Sequence, residues 1–260
     1  MKVDSSVSAV VTGGASGLGR AAAEALAAAG AKVAIFDINE EKGNEVAKAI
    51  GGLFCKVDIN NEESVVAGFA KARAAHGQER ALIHCAMTSR RGKTLAFDKA
   101  AGKLKRLSTA DYEAGVQGVL VASYRLASLA AEGMATLPPM EDDERGSIVL
   151  TASVAAQDGQ IGQVIYGSAK AGVNGLVLPM ARDLSDLGIR VNSIMPGIFA
   201  TPLMLGATPQ VLNSLSASVP FPKRLGKPEE FGSLALQLVT NTYFNGQCIR
   251  LDGAIRMAPR

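Results

Sequence analysis

Three cysteines are all the chain contains, and the scatter of Cys55, Cys85 and Cys248 leaves neither a disulfide framework nor a zinc site. Such sparing use fits a reducing compartment, and cytoplasmic residence is the expectation. No apolar run approaches the length of a membrane span, so no membrane partner is expected. The opening "MKVDSSVSAVVTGG" lacks a basic region, an apolar core and a cleavage site, which points away from secretion. Charge of one sign is scarce too. A net charge of +3 is too small to indicate a nucleic-acid partner. The one basic cluster, Arg90, Arg91, Lys93, Lys99, Lys103, Lys105 and Arg106, falls within a single connecting segment. No internal repeat and no Pro-, Gly- or Ser-rich linker divides the chain.

What is present is an alternation. Short apolar or β-branched runs, "SAVVT", "KVAIF", "LFCKV", "ALIH", "SIVL", "IRVNSI" and "GQCIRL", are separated by helical patterns such as "LGRAAAEALAAAG" and "PEEFGSLALQLVT". Strands too apolar to have a wet face imply a parallel sheet covered on both sides. At 260 residues and 48% hydrophobic content, the chain can bury the core of one α/β domain. The expectation is a single-domain Rossmann fold spanning 1–260, a doubly wound seven-stranded parallel sheet.

Ligands of such folds bind at the carboxyl ends of the strands. The first run ends in "VTGGASGLGR", where Gly13, Gly17 and Gly19 let backbone N–H groups and a helix N-terminus approach a pyrophosphate. Asp37 follows the second run, near the interval of about 20 residues expected of a carboxylate that bonds the adenosine ribose. Asp58 follows the third run and is placed to reach the adenine. A 2′-phosphate would be repelled by Asp37 and would need an arginine nearby, and "FDINE" offers none. NAD is therefore expected as cofactor in preference to NADP.

The stretch "IYGSAKAG" puts Tyr166 and Lys170 one helical turn apart, on a shared face. Ser153 follows the run "SIVL" at the same sheet edge. Oxidising a secondary alcohol needs a base for the hydroxyl proton while hydride leaves for the cofactor. Free tyrosine ionises near pH 10, so a nearby ammonium must favour the phenolate. That role falls to Lys170, with Ser153 holding the substrate oxygen against Tyr166.

The order and spacing of "TGGASGLG", of Ser153, Tyr166 and Lys170, and of "PGIFAT" at 196–201 resemble the short-chain dehydrogenase/reductase family over nearly the whole chain. That resemblance implies a nicotinamide cofactor, a small-molecule substrate and a homotetramer. It also implies that Ser16, Leu18, Ile59, Cys85, Pro196, Gly197, Phe199 and Thr201 join the cofactor site, together with Tyr166 and Lys170 themselves. Within the family, "TASVAAQDGQIGQVIYGSAKAG", "VPFPKRLGKPEEF" and the tail "IRLDGAIRMAP" are similar to the type II 3-hydroxyacyl-CoA dehydrogenase branch, also called 17β-hydroxysteroid dehydrogenase type 10. The implied reaction interconverts a 3-hydroxyacyl-CoA and its 3-ketoacyl-CoA. The apolar stretch at about 198–225 lies where the family keeps a substrate lid.

Two departures stand out. The branch generally has "NCAG" where this chain reads "HCAM", from His84 to Met87. The family also places an asparagine on the next helix to organise a proton relay to the lysine, and here that position is Val119. Gln117 lies about 200° around the helix from it, and His84 reads as a strand-end packing residue. The basic segment 88–109 is open to two readings, a contact for the phosphates of a CoA thioester or a solvated loop. Alternatives to the acyl-CoA reaction are a dehydrogenase for a steroid or small ring alcohol, and an NAD-binding protein with little turnover.

Overall fold

The computed structural model describes residues 1–259. Seven parallel strands form one sheet in the order β3-β2-β1-β4-β7-β8-β9. They are β1 (Ser8–Thr12), β2 (Lys32–Asp37), β3 (Leu53–Lys56), β4 (Ala81–His84), β7 (Gly146–Thr151), β8 (Ile189–Pro196) and β9 (Cys248–Leu251). β1, β4, β7 and β8 are buried along their whole length, the state their unbroken apolar composition requires. The seven-stranded parallel sheet expected from the sequence is the one observed.

Helices cover both faces. On one side α1 (Gly17–Ala28), α2 (Glu40–Ile50) and α9 (Pro228–Thr240) bury Leu26, Val46 and Phe231 against Ile35, Ile83 and Val149. On the other, α3 (Glu62–His76), α5 (Ala122–Ala135) and α6 (Val164–Asp183) bury Phe69, Leu126 and Val173 against Val10, Leu82 and Leu150. Local chemistry sets the ends. Asn39 and Asn61 accept the N–H of Lys42 and Ser64 at the starts of α2 and α3, and Gly51 ends α2 at φ +65°. The chain builds outward from β1 to β3, then returns to lay β4 on the other side of β1. The crevice between β1 and β4 is thus the switch point at which doubly wound sheets bind ligands.

Two local features were not expected. The pattern "TADYEAGVQGVLVASYRLASLAAEGMA" reads as one helix. It is instead α4 (Thr109–Val116), a π-helical turn over Gln117–Val121, and α5. A side chain at Gly118 would strike Thr88, whose N–H donates to the Gly118 carbonyl at 3.0 Å. That cross-link replaces one helical hydrogen bond, and such turns concentrate at functional sites. The basic connection is also ordered. β5 (Leu95–Asp98) and β6 (Lys103–Arg106) form an antiparallel hairpin apart from the main sheet.

Candidate active site

Beyond the carboxyl ends of β1 and β4 runs a groove of about 570 Å³. The backbone turn between β1 and α1 forms its floor. Gly13 adopts φ +67°, and a Cβ there would lie 2.8 Å from the Ala86 nitrogen. A Cβ at Gly19 would lie 2.2 Å from the Gly13 carbonyl oxygen. The cradle therefore exists only because these positions carry no side chain. The Asp37 carboxylate accepts the N–H of Ala15 at 3.1 Å and of Asn39 at 2.9 Å, tying the end of β2 to the glycine turn. Asp58 accepts the N–H of Asn60 at 2.9 Å.

Ten of the expected residues line this groove together: Gly13, Ser16, Gly17, Leu18, Gly19, Asp37, Asp58, Ile59, Cys85 and Thr201. No lysine or arginine stands among its described lining residues. Others lie elsewhere. Pro196 ends β8 and the Gly197 N–H donates to Leu251 at 2.9 Å, so both secure the β8–β9 edge. Phe199 turns its ring edge-on to Phe231, centroids 6.5 Å apart, and lines a different cavity. Met87, singled out in the sequence as the departure from the branch's glycine, lines one wall, which Asn60 and Thr88, not foreseen, complete. The sequence signal for that wall was present in "HCAM" and the threonine after it.

The three candidate catalytic side chains are not among the lining residues of the groove and adjoin it through Thr151. Ser153 follows β7, is 7% exposed, and its Oγ accepts the Ala155 N–H at 3.2 Å. Tyr166 and Lys170 come from the first two turns of α6. Lys170 is 3% exposed and donates to the Thr151 carbonyl. Thr151 lines the groove, so it joins the lysine to the ligand space. Burial pushes the Lys170 ammonium down to about 8, opposed weakly by Cys85. Burial pushes the Tyr166 phenol above its ordinary value, while the Ser153 hydroxyl and the Arg91 guanidinium pull it back. The sequence pointed to Lys170 as the group that favours phenolate. In the structure its Nζ lies 5.9 Å from the tyrosine ring centroid and is turned to Thr151. The groups that act on the phenol directly are Ser153 and Arg91.

A second cavity, of about 810 Å³, opens on the outer side of this trio between Gly92–Leu95 and the start of α6. Gly92 bridges to Gln163, and its N–H donates to the Gly162 carbonyl at 3.0 Å. This link brings the basic segment to the helix that carries Tyr166. The Gln163 Oε1 in the wall is buried with no partner among the described residues. The Val119 side chain is 1% exposed and packed in the apolar cluster of α5 and α6.

Residues 13–255 match the family profile described as Enoyl-(Acyl carrier protein) reductase. The chain is 44% identical over 253 residues to the 3-hydroxyacyl-CoA dehydrogenase type-2 of Drosophila melanogaster, covering 96% of this chain and 97% of that one. It is 40% identical to the human protein of the same name, with coverages of 96% and 95%. A crystal structure of 3-hydroxyacyl-CoA dehydrogenase type-2 from Mycobacterium avium superposes with a TM-score of 0.92 at 40% identity, covering 98% of each chain.

Proposed function

The chain belongs to the short-chain dehydrogenase/reductase family of oxidoreductases, and we propose that it transfers hydride between NAD and the 3-hydroxyl of a 3-hydroxyacyl-CoA. The observation that carries this reading is the grouping of Ser153, Tyr166 and Lys170 beside a glycine-floored groove, joined to it by Thr151, which lines the groove and accepts from Lys170. A nicotinamide cofactor fits that groove, since two of its floor positions would collide with any side chain. Gly13, Ser16, Gly17, Leu18 and Gly19 hold its pyrophosphate, Asp37 its ribose, and Asp58 and Ile59 its adenine. Cys85 and Thr201, with Tyr166 and Lys170, complete the site toward the nicotinamide, and Pro196, Gly197 and Phe199 carry the backbone that leads from β8 to Thr201. The carboxylates of Asp37 and Asp58, with no basic residue among the described lining groups, favour NAD over NADP.

When bound, NAD supplies the hydride acceptor for oxidation and, reduced, the hydride donor for the reverse reaction. Ser153 orients the substrate oxygen, and Tyr166 takes its proton or returns it. A phenol raised by burial is protonated at neutral pH, the state needed to give a proton to a carbonyl oxygen. In the oxidative direction the same proton must leave by way of Lys170. The buried ammonium lies 5.9 Å from the centroid of the phenol ring.

The outer cavity suits a long substrate. It is lined by Gln163, Val164 and Gly167 around the position of Tyr166 and by Gly92–Leu95 at the start of a hairpin whose second strand carries Lys103, Lys105 and Arg106 on exposed positions, a surface that fits the phosphates of CoA. The stretch 198–225 acts as a lid. Its α7 (Pro202–Leu205) and α8 (Pro209–Ser218) bury no residue, and Leu203, Leu205 and Phe221 are exposed apolar groups free to cover a substrate. The single domain functions as a homotetramer in the cytoplasm, a setting that suits three free cysteines. No helix of the described residues is long and apolar enough to cross a membrane. NADH formation over panels of 3-hydroxyacyl-CoAs, steroids and small ring alcohols tests the reading. Turnover confined to steroids or ring alcohols would replace the substrate, and no turnover on any panel would leave a dinucleotide-binding protein.

A further inference from the structure

Ser153 and Tyr166 hang from the two ends of one loop. A short helical turn over Val154–Ala156 follows the serine, and α6 opens at Val164, just before the tyrosine. The stretch between, from Gln157 to Gln163, lies outside the sheet and supplies much of one wall of the outer cavity. The separation of the two side chains therefore depends on what holds this loop.

The C-terminal segment holds it. Arg250 in β9 places all five of its N–H donors. Nε donates to Asp252 at 2.8 Å, and Nη1 to Gln157 at 2.8 Å and Asp158 at 3.0 Å. Nη2 donates to Asp158 at 2.8 Å and to the Ile255 carbonyl at 2.9 Å. The Arg250 and Asp158 side chains are 15% and 7% exposed, and a two-pronged contact of this kind fixes orientation as well as distance. Hydrogen bonding to Arg250 holds the Asp158 carboxyl below its ordinary value, so the pair is charged at neutral pH. Three further bonds join the loop to the chain beyond β9. The Met257 N–H donates to Asp158 at 3.1 Å, Gln160 Nε2 to the Ala258 carbonyl at 2.9 Å, and the Ile161 N–H to the Pro259 carbonyl at 3.0 Å. Gln163 carries the line to the start of α6 by donating to Gln160 at 3.0 Å.

The other side of the same segment is apolar. Ile255, 2% exposed, and Met257 pack with Ile198, Met204, Val219 and Leu225, all within the stretch proposed above as a lid. The segment is thus wedged between the loop and the lid. None of residues 250–259 is among the described lining residues of the dinucleotide groove.

We propose that Arg250 and the segment 252–259 are positioning elements for the proposed reaction, holding the loop 157–163 so that Ser153 and Tyr166 meet the same substrate oxygen. The role rests on the reading of Ser153 and Tyr166 given above. A misplacement of about 1 Å at a reacting centre can cost about 10²-fold in rate, so a support of this kind is expected to act on turnover and not on cofactor binding.

The test compares wild type with a chain ended after Arg256, with Asp158→Asn, and with the two combined, well below the melting temperature of each. Turnover is read on a 3-hydroxyacyl-CoA and on a small secondary alcohol, and NADH affinity by fluorescence. The shortened chain keeps Arg250, Asp158 and Ile255 and loses the three outer bonds. Its kcat is expected to fall about tenfold on both substrates, short of the ~10²-fold of a full 1 Å misplacement, with NADH affinity close to wild type. Asp158→Asn keeps the shape and removes the charge that grips the guanidinium, so a smaller loss of the same kind is expected. Both changes loosen one link, and the double variant should therefore lose less than the product of the two. Should the shortened chain not fold, Asp158→Asn alone carries the test. Wild-type kcat in a folded variant overturns the proposal. So does a loss confined to the acyl-CoA, which would make the segment a cavity wall only, or a loss that NADH affinity follows in proportion. Single losses that merely multiply also overturn it. If Tyr166→Phe is inactive while both tail variants are normal, only the role of the segment falls. If Tyr166→Phe retains turnover, the reading of the site falls with it.

Discussion

The segment from Gly146 to Asp183 and the segment from Thr88 to Ser108 border the same cavity and are built in opposite ways. The first is a wholly buried strand, a short turn and a long helix, with Ser153 and Lys170 under 10% exposed. The second is exposed along both strands of its hairpin, where even Leu95, Phe97 and Leu104 are more than half exposed. The difference follows from the tasks assigned to each. Proton transfer needs side chains held within a fraction of an ångström by packed neighbours. Attracting phosphate charge needs only a sign and a reach. The function proposed above thus assigns chemistry to the core and substrate preference to the ribbon.

If that division holds, changes in the core should reduce turnover on every alcohol, and changes in the ribbon should alter affinity for one class. The largest effect expected is from Lys170→Met, which removes the ammonium but keeps the bulk. Turnover should fall by about 10²–10⁴-fold for acyl-CoA and simple alcohol alike, measured at saturating substrate. A loss confined to acyl-CoA would break the division.

Next in size is cofactor choice. NAD should be used at least about tenfold better than NADP, a difference near 1.4 kcal/mol, because a 2′-phosphate would meet the Asp37 carboxylate. Asp37→Ala should narrow the ratio of catalytic efficiencies. Part of the drop will be structural, since Asp37 also ties the glycine turn through Ala15. Thermal melting of the same variant separates the two contributions.

A smaller effect belongs to the ribbon. Reversing Lys103, Lys105 and Arg106 to glutamate should raise KM for an acyl-CoA about fivefold, taking three exposed contacts at roughly 0.3 kcal/mol each. kcat should hold, and the effect should fade at high salt. An unchanged KM would return the hairpin to the status of a solvated loop.

The smallest effect is on stability. A lysine brought down to about 8 by burial binds fewer protons folded than unfolded, so it destabilises the fold most below pH 8. That cost is relieved as pH rises through 8 toward the unfolded lysine value. Lys170→Met should therefore melt higher than wild type at pH 7, by about 2–4 °C for each kcal/mol gained, with the gain shrinking above pH 8.

How far the sequence disclosed all this divides along the same line. The seven strands were legible because unbroken apolar runs between amphipathic helices have few other ways to be buried. The meeting of Gly13, Gly19 and Asp37 at one groove was legible because a side-chain-free strand-to-helix turn and a carboxylate at the end of the next strand recur at particular intervals. The π turn at Gln117–Val121 was not legible, and the Thr88 N–H that meets its Gly118 carbonyl is a contact made by tertiary approach. The hairpin was missed although "LAFD" and "KLKR" flank a four-residue loop ending in Gly102, because neither strand buries a face that would impose a period of two. His84 read as a strand-end packing residue, and it is buried there with its Nδ1 hydrogen-bonded to Thr12 on the neighbouring strand.

The most direct test of the account is turnover of a 3-hydroxyacyl-CoA by wild type and Tyr166→Phe, followed by NADH absorbance. NADH binding should be measured alongside by fluorescence. The substitution removes one hydroxyl beside the groove and leaves the glycine cradle untouched. The account predicts turnover lowered by about 10²-fold or more with NADH affinity close to wild type. A Tyr166→Phe protein that keeps half its turnover would contradict it.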